Sequence, residues 1–196
     1  MLSFTLDSNC IIALENEEPN APAIRLLAAA HMRGVADVAI AAIMASEKQR
    51  DVPLLEDFEV FQERLRNVGL GHLSLCHPMF LLDMGFWDHG LWAGPDETKI
   101  ELAIHHILFP NIQHDYRDFC AARFIPETPL IWDDERDLWR NAVCDVQGLW
   151  SHIYARRDVF VSSDSVFHQA TKKPLLINLG AGRIEYPAPA AALAGG

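Results

Sequence analysis

Two carboxylates in this 196-residue chain share one structural address. Asp7 follows the apolar run FTL, and Asp164 follows VFVSS. Both runs read as short buried strands, so each acid stands at a strand's carboxyl end, where loops open above a sheet. An acid in that place commonly caps the next helix or shapes a turn. Two of them in one α/β domain point to a shared site. Glu47 lies within AAIMASEKQR, residues 41–50, a segment expected to enter a helix at the same end of the sheet. Helical glutamates are commonly solvated, but the apolar flank at 41–45 argues for partial burial. Asp137, Asn141 and Asp145 recur at i, i+4 and i+8, one side of a further helix. That column describes either the wet face of an amphipathic helix or a set of oxygen ligands facing the strand ends.

The elements that must position these residues follow from pattern. LSFTL at 2–6 predicts a first strand, and SNCIIALE a turn into a helix with Ser8 or Asn9 as N-cap. Residues 21–33 read as a helix with Gly34 as its C-cap. VADVAIAA predicts a second buried strand from Val35, then a helix over 44–50 that carries Glu47. Leu55, Phe58, Phe61, Leu65 and Val68, three and four apart, predict a helix over 54–68. The middle, about 69–133, is punctuated by Pro78, Pro95, Pro110, Pro126 and Pro129. A strand at 72–76 and helices at 99–108 and 113–124 are expected within it. Its length and irregularity indicate an insertion or an elaborated helical layer. From Asp134 a strong apolar stripe, from Leu138 and Trp139 to Ile153 and Tyr154, marks a long helix. A strand at 158–163, a helix at 166–171 and a strand at 175–179 (LLINL) complete the pattern. Such alternation argues for an α/β fold with a central, mostly parallel sheet flanked by helices. The Ala/Pro/Gly end, 187–196, reads as a frayed tail, flexible over 191–196.

LDSNCIIAL, then ASE, then NAVCD, then FVSSD resemble, in that order, the successive acidic motifs of PIN-domain nucleases. LLINLGAGRIEYPAPAAAL resembles the family's closing strand and Pro-containing end. The resemblance covers about residues 2–50 and 134–190. The middle departs from a minimal PIN domain and is where family-specific function is expected. The resemblance implies one PIN-like domain over 1–190, with catalytic, metal-holding acids at Asp7, Glu47, Asp145 and Asp164. Asn9, Asn141 and Ser162 match supporting polar positions, with Ser162 where family members commonly have Thr. Crowded carboxylates repel one another, so their pKa values rise or a cation neutralises them. Hard oxygen ligands suit Mg²⁺ or Mn²⁺. Such ions hold a phosphate oxygen, acidify a bound water and stabilise a leaving oxygen. The implied activity is therefore a metal-dependent endonuclease, a ribonuclease hydrolysing RNA. Two alternatives stand beside it. One is a non-catalytic, RNA- or protein-binding regulatory domain of the same fold. The other is a toxin ribonuclease whose partner is a protein antitoxin. A homo-oligomer fits each reading.

The remaining features narrow the choice. Lys plus Arg number 16 against 27 Asp plus Glu, a net charge of −11, so bulk charge does not draw the chain to nucleic acid or anionic lipid. Arg156–Arg157 and Lys172–Lys173 are candidates for local phosphate contacts or are ordinary solvated charges. Cys10, Cys76, Cys120 and Cys144 form no CxxC pair, which argues against a disulfide framework. Cys10 and Cys144, beside the acids, read as small core residues. His72, His77, His89, His105, His106 and His114 match no standard zinc spacing. His105 and His106 read as a helix pair, one ring packed and one exposed. Trp139 and Trp150 read as core, while Trp87 and Trp92 could form an exposed stacking platform. No basic leader and no apolar span of membrane length is found, so a cytoplasmic protein without a membrane partner is expected.

Overall fold

The computed structural model describes residues 1–47, 57–81, 84–127 and 134–195. Lys48, Arg50, Leu55 and Trp132 lie outside the described residues, as does the side chain of Trp87. In chain order the elements are β1 (Ser3–Leu6), α1 (Ser8–Glu15), α2 (Ala21–Met32), β2 (Asp37–Ala41) and a 3₁₀ turn (Ala42–Ser46). There follow α3 (Phe58–Asn67), β3 (Ser74–Cys76), a 3₁₀ turn (Trp87–His89), α4 (Pro95–Leu108), α5 (Tyr116–Arg123) and α6 (Asp134–Tyr154). The chain closes with β4 (Val159–Val161), α7 (Ser165–His168), α8 (Lys173–Leu176), a π turn (Ile177–Ala181), β5 (Arg183–Glu185) and α9 (Pro187–Gly195).

The strands form one sheet in the order β3-β2-β1-β4-β5, with every pairing parallel. Parallel sheets are covered on both faces, so their strands are continuous apolar runs. The burial of β1, β2 and β4 follows that rule. Phe4, Leu6, Val159 and Val161 face one core with Leu27 and Ile40. Phe160 faces a second core with Leu149, Trp150 and Ile184. Each such large side chain removed from water contributes about 1.5–3 kcal/mol. Leu6 pairs in register with Ile40 on one side and Val161 on the other, so the carboxyl ends of β1, β2 and β4 are level. That alignment makes the next residues, Asp7, the 3₁₀ turn after β2, and Ser162, neighbours above the sheet.

Three expectations are corrected. Glu47 is not inside a helix: the turn after β2 is a five-residue 3₁₀ segment, and Glu47 follows it in extended backbone at φ −75°, ψ 132°. LLINL is not a strand. Pro174 opens α8, only Leu176 of the run is fully buried in that helix, and the chain passes into a π turn. A short apolar run does not separate strand from helix by periodicity, and here the flanking Pro decides. Gly180 (φ 107°) and Gly182 (φ 58°) then turn the chain into β5. Residues 187–195 are also not frayed: they form α9, which packs along α2 with Ala190 and Ala194 buried in the core. Alanine at i and i+4 is both the best helix former and small enough for close helix contact. In the middle region β3 is an edge strand of the sheet and α4 packs on α6.

Gly182 carries a testable consequence. A Cβ there would stand 2.4 Å from the main-chain oxygen of Asp158, and its φ of +58° disfavours any other residue. Gly182→Ala is expected to destabilise the protein by about 2–4 kcal/mol, strain and clash together. Urea unfolding at a fixed pH measures it.

Candidate acidic site

The strand order reverses direction between β1 and β4, and their following loops diverge there. In α/β sheets this switch point is where a crevice opens. Asp7 leaves β1 as the N-cap of α1, and its Oδ1 accepts the Ser8 N–H at 2.9 Å. Its Oδ2 accepts from Asn9 Nδ2 at 2.8 Å and from the Ser162 hydroxyl at 2.6 Å. Asp164 leaves β4 as the N-cap of α7, with Oδ1 accepting the Val166 N–H at 2.8 Å. Its own N–H donates to Ser162 Oγ at 3.0 Å. Ser162 therefore joins both acids, and its carbonyl accepts from His168 Nε2 at 2.8 Å. Asn9 Oδ1 accepts the N–H and the hydroxyl of Ser163, at 2.9 and 3.0 Å. These bonds fix the Asn9 amide with its NH₂ toward Asp7.

A cavity of about 360 Å³ opens over this network. Asp164 and Asn9 form one wall, Asn141 and Asp145 of α6 another, and Glu47 a third, with Ser8, Ile12 and Ser163 between them. Asp7 and Ser162 lie buried beneath. All four expected acids and the three expected supporting residues thus meet at one end of the sheet. Asp137, at the start of the same helical column, does not line the cavity.

The electrostatics record the crowding. Burial raises the Asp7 carboxyl to about 6; hydrogen bonds from Ser162, Ser8 and Asn9 oppose the rise, and the charge of Asp164 adds to it. Burial, and then the charge of Asp7, raises Glu47 to about 7, against a hydrogen bond from Ser8 and the charge of Arg64. Asp145 is pushed well above the carboxylate range by burial and by the charges of Asp7, Glu47 and Asp164. Among the described residues no Lys or Arg lines the cavity.

The donor set is hard oxygen throughout, which suits Mg²⁺ or Mn²⁺ by chemical type. Among the described residues, no three His, Cys, Asp or Glu side chains stand in ligand geometry. Asp7 already accepts three internal hydrogen bonds, and Asp164 uses one oxygen to cap α7.

Other candidates are absorbed by the fold. Arg157 donates to Phe4 O and Asp37, at the amino end of the sheet, and so does not flank the site. Lys172 donates to Leu108 O. Cys10 and Cys144 are buried free thiols whose pKa values burial pushes up, which leaves no thiolate nucleophile there. His152, fully buried, donates from Nε2 to Ala181 O and accepts from Thr5 Oγ1, tying α6 to β1. His105 is packed and His106 exposed. Trp150 is core; Trp139 packs more loosely, and each indole N–H meets a main-chain oxygen. Trp92 is exposed beside Phe80. Ser163 and His168 are the positioning residues that sequence reading missed. Ser163 had a signal, its place between Ser162 and Asp164; His168 had none.

Comparison of the chain with protein-family models, curated proteins and solved structures found no match.

A group whose folded-state pKa lies above its unfolded value keeps a proton that the unfolded chain releases, so folded-state stability falls as pH rises between the two. For Glu47 that window runs from about 4.5 to about 7. Glu47→Gln, unfolded by urea with chelator present, is expected to match wild type near the bottom of that window. Above its top the variant is expected to be more stable by about 1–3 kcal/mol.

Proposed function

We propose that the chain is a Mg²⁺- or Mn²⁺-dependent phosphodiesterase of the PIN type that hydrolyses RNA. The observation that carries this reading is the meeting of Glu47, Asp145 and Asp164 around one cavity above buried Asp7, at the sheet's switch point. A divalent cation bound there would polarise a phosphate oxygen and acidify a water.

The chain's own residues have separable tasks. Asp145 accepts no hydrogen bond among the described residues and is the acid most in need of a counter-charge. Asp164 is held by its capping bond at Oδ1, which leaves Oδ2 for a ligand. Asp7 adds negative charge from below while its oxygens hold Ser8, Asn9 and Ser162 in place. Glu47 lines the cavity with Asp145 and Asp164, and a cation bound there would offset the neighbouring charges that raise its carboxyl and leave it ionised as a further oxygen ligand. Asn9, Asn141, Ser8 and Ser163 make the rest of the cavity wall neutral and polar. The acids alone would repel that backbone, so entry of the substrate depends on the cation.

One observation favours the non-catalytic alternative: the acids are gathered without standing in ligand geometry. The two readings separate on cleavage. Purified protein with Mn²⁺ is expected to cut members of a mixed RNA panel and to be inactive with chelator. Asp145→Asn and Asp164→Asn should each lower cleavage by about two orders of magnitude or more. The fold should persist, since Asn caps α7 about as well as Asp. Asp7→Asn is the poorer test, because its amide would face the fixed NH₂ of Asn9. Wild type that leaves every RNA intact with Mn²⁺ and with Mg²⁺, or a folded Asp145→Asn that cleaves normally, contradicts the proposal.

A further inference from the structure

Three of the four acids are held by the elements they belong to. Asp7 and Asp164 are locked as N-caps, and Asp145 is carried within the long helix α6. Glu47 has no such support. It stands in extended backbone beyond a five-residue 3₁₀ turn, a short element with few bonds of its own.

The long helix α6 packs against that turn. Gly148 lets the helix come close: a Cβ at this position would lie 2.9 Å from Met44 Cε and 3.9 Å from Ile43 Cγ2. Glycine inside a helix costs about 1 kcal/mol relative to alanine, so the close approach accounts for its presence. Two turns earlier, Arg140 reaches the other end of the same segment, and its Nε donates to Ser46 O at 2.6 Å. Arg140 is only 6% exposed. A buried guanidinium carries a large desolvation cost, and a charge-assisted bond to a main-chain oxygen is among the stronger uses of it. The carbonyl it grips is that of the residue immediately before Glu47. Asn141 and Asp145, on the same helix, line the cavity with Glu47. One rigid helix therefore presents Asp145 and holds the backbone that carries Glu47.

We infer that Arg140 is a positioning residue of the acidic site: by gripping Ser46 O from α6 it sets how closely the Glu47 carboxyl approaches Asp145. The inference rests on the site reading above but not on the reaction proposed for it. Arg140 reaches Glu47 through the backbone and touches no reacting group.

The test uses two substitutions and two readouts. Arg140→Met keeps an unbranched side chain and removes the donor; Arg140→Lys keeps the charge and one donor on a differently shaped head. The first readout is the crystal structure of each variant in metal-free form, which gives the separation of the Glu47 and Asp145 carboxyls. In Arg140→Met that separation should widen by more than about 0.5 Å, the tolerance of a working site, while Asp7 and Asp164 keep their places. Arg140→Lys should widen it by less, and it carries the test should the methionine variant fail to fold. An unchanged separation in a folded variant overturns the inference, as does an equal displacement of Asp7 and Asp164, which marks a general loosening. The second readout is Mn²⁺ titration of wild type and Glu47→Gln. Wild type that binds no Mn²⁺ counts against the proposed metal-dependent function and leaves the Glu47 result standing on its own.

Discussion

The burial of several carboxylates side by side is the constraint around which this molecule is arranged. Burial first, and neighbouring carboxylates after it, raise Asp7 (beside Asp164), Glu47 (beside Asp7 and Asp164) and Asp145 (beside Asp7, Glu47 and Asp164). A fold selected for stability alone would replace them, since burying like charges together opposes folding at neutral pH. Their cost is offset by the two apolar cores on either face of the sheet. It is also limited locally, because Ser162, Ser8 and Asn9 donate hydrogen bonds to Asp7.

The sheet explains why the acids meet. All strands run one way, so every loop that follows a strand opens at the same end, and the reversal of strand order spreads the loops after β1 and β4. Asp7 and Asp164 are therefore neighbours although 157 residues separate them in sequence. The other half of the cavity is made by packing. α6 crosses over the strand ends, bonds to the turn after β2 through Arg140, and brings Asp145 and Asn141 to face Asp164 and Asn9. Two kinds of order are thus combined: caps that hold the strand-end acids by hydrogen bonds, and a helix that carries Asp145 and bonds to the residue before Glu47.

The parts legible in the sequence are those where local chemistry and tertiary structure agree. Val159–Val161 and Ser3–Leu6 are apolar runs followed by an acid, and both are strands whose next acid caps a helix. The stripe from Leu138 to Tyr154 marks α6 from its second turn to its last. Illegible parts are those decided by a contact at long range or by a single backbone angle. LLINL is apolar enough for a strand, yet Pro174 and the positive φ angles of Gly180 and Gly182 move the strand to Arg183–Glu185. The alanines of α9 carry no amphipathic signal, and only the surface of α2 shows why they are ordered. Glu47 lines the cavity with Asp145 and Asp164 but not from within a helix, and nothing local reveals that Arg140, 93 positions later, bonds to the carbonyl just before it.

Whether the gathered acids exist to hold a divalent cation is the central claim, and crystals grown at neutral pH and soaked in millimolar Mn²⁺ test it most directly. Anomalous scattering locates the ion without reference to any substrate. The expected result is a Mn²⁺ peak in the cavity between α6 and the β4 loop, directly ligated by the Asp145 carboxylate and by Glu47 or Asp164, and absent from crystals of Asp145→Asn. A cavity without a Mn²⁺ peak, or a peak that persists unchanged in Asp145→Asn, contradicts it.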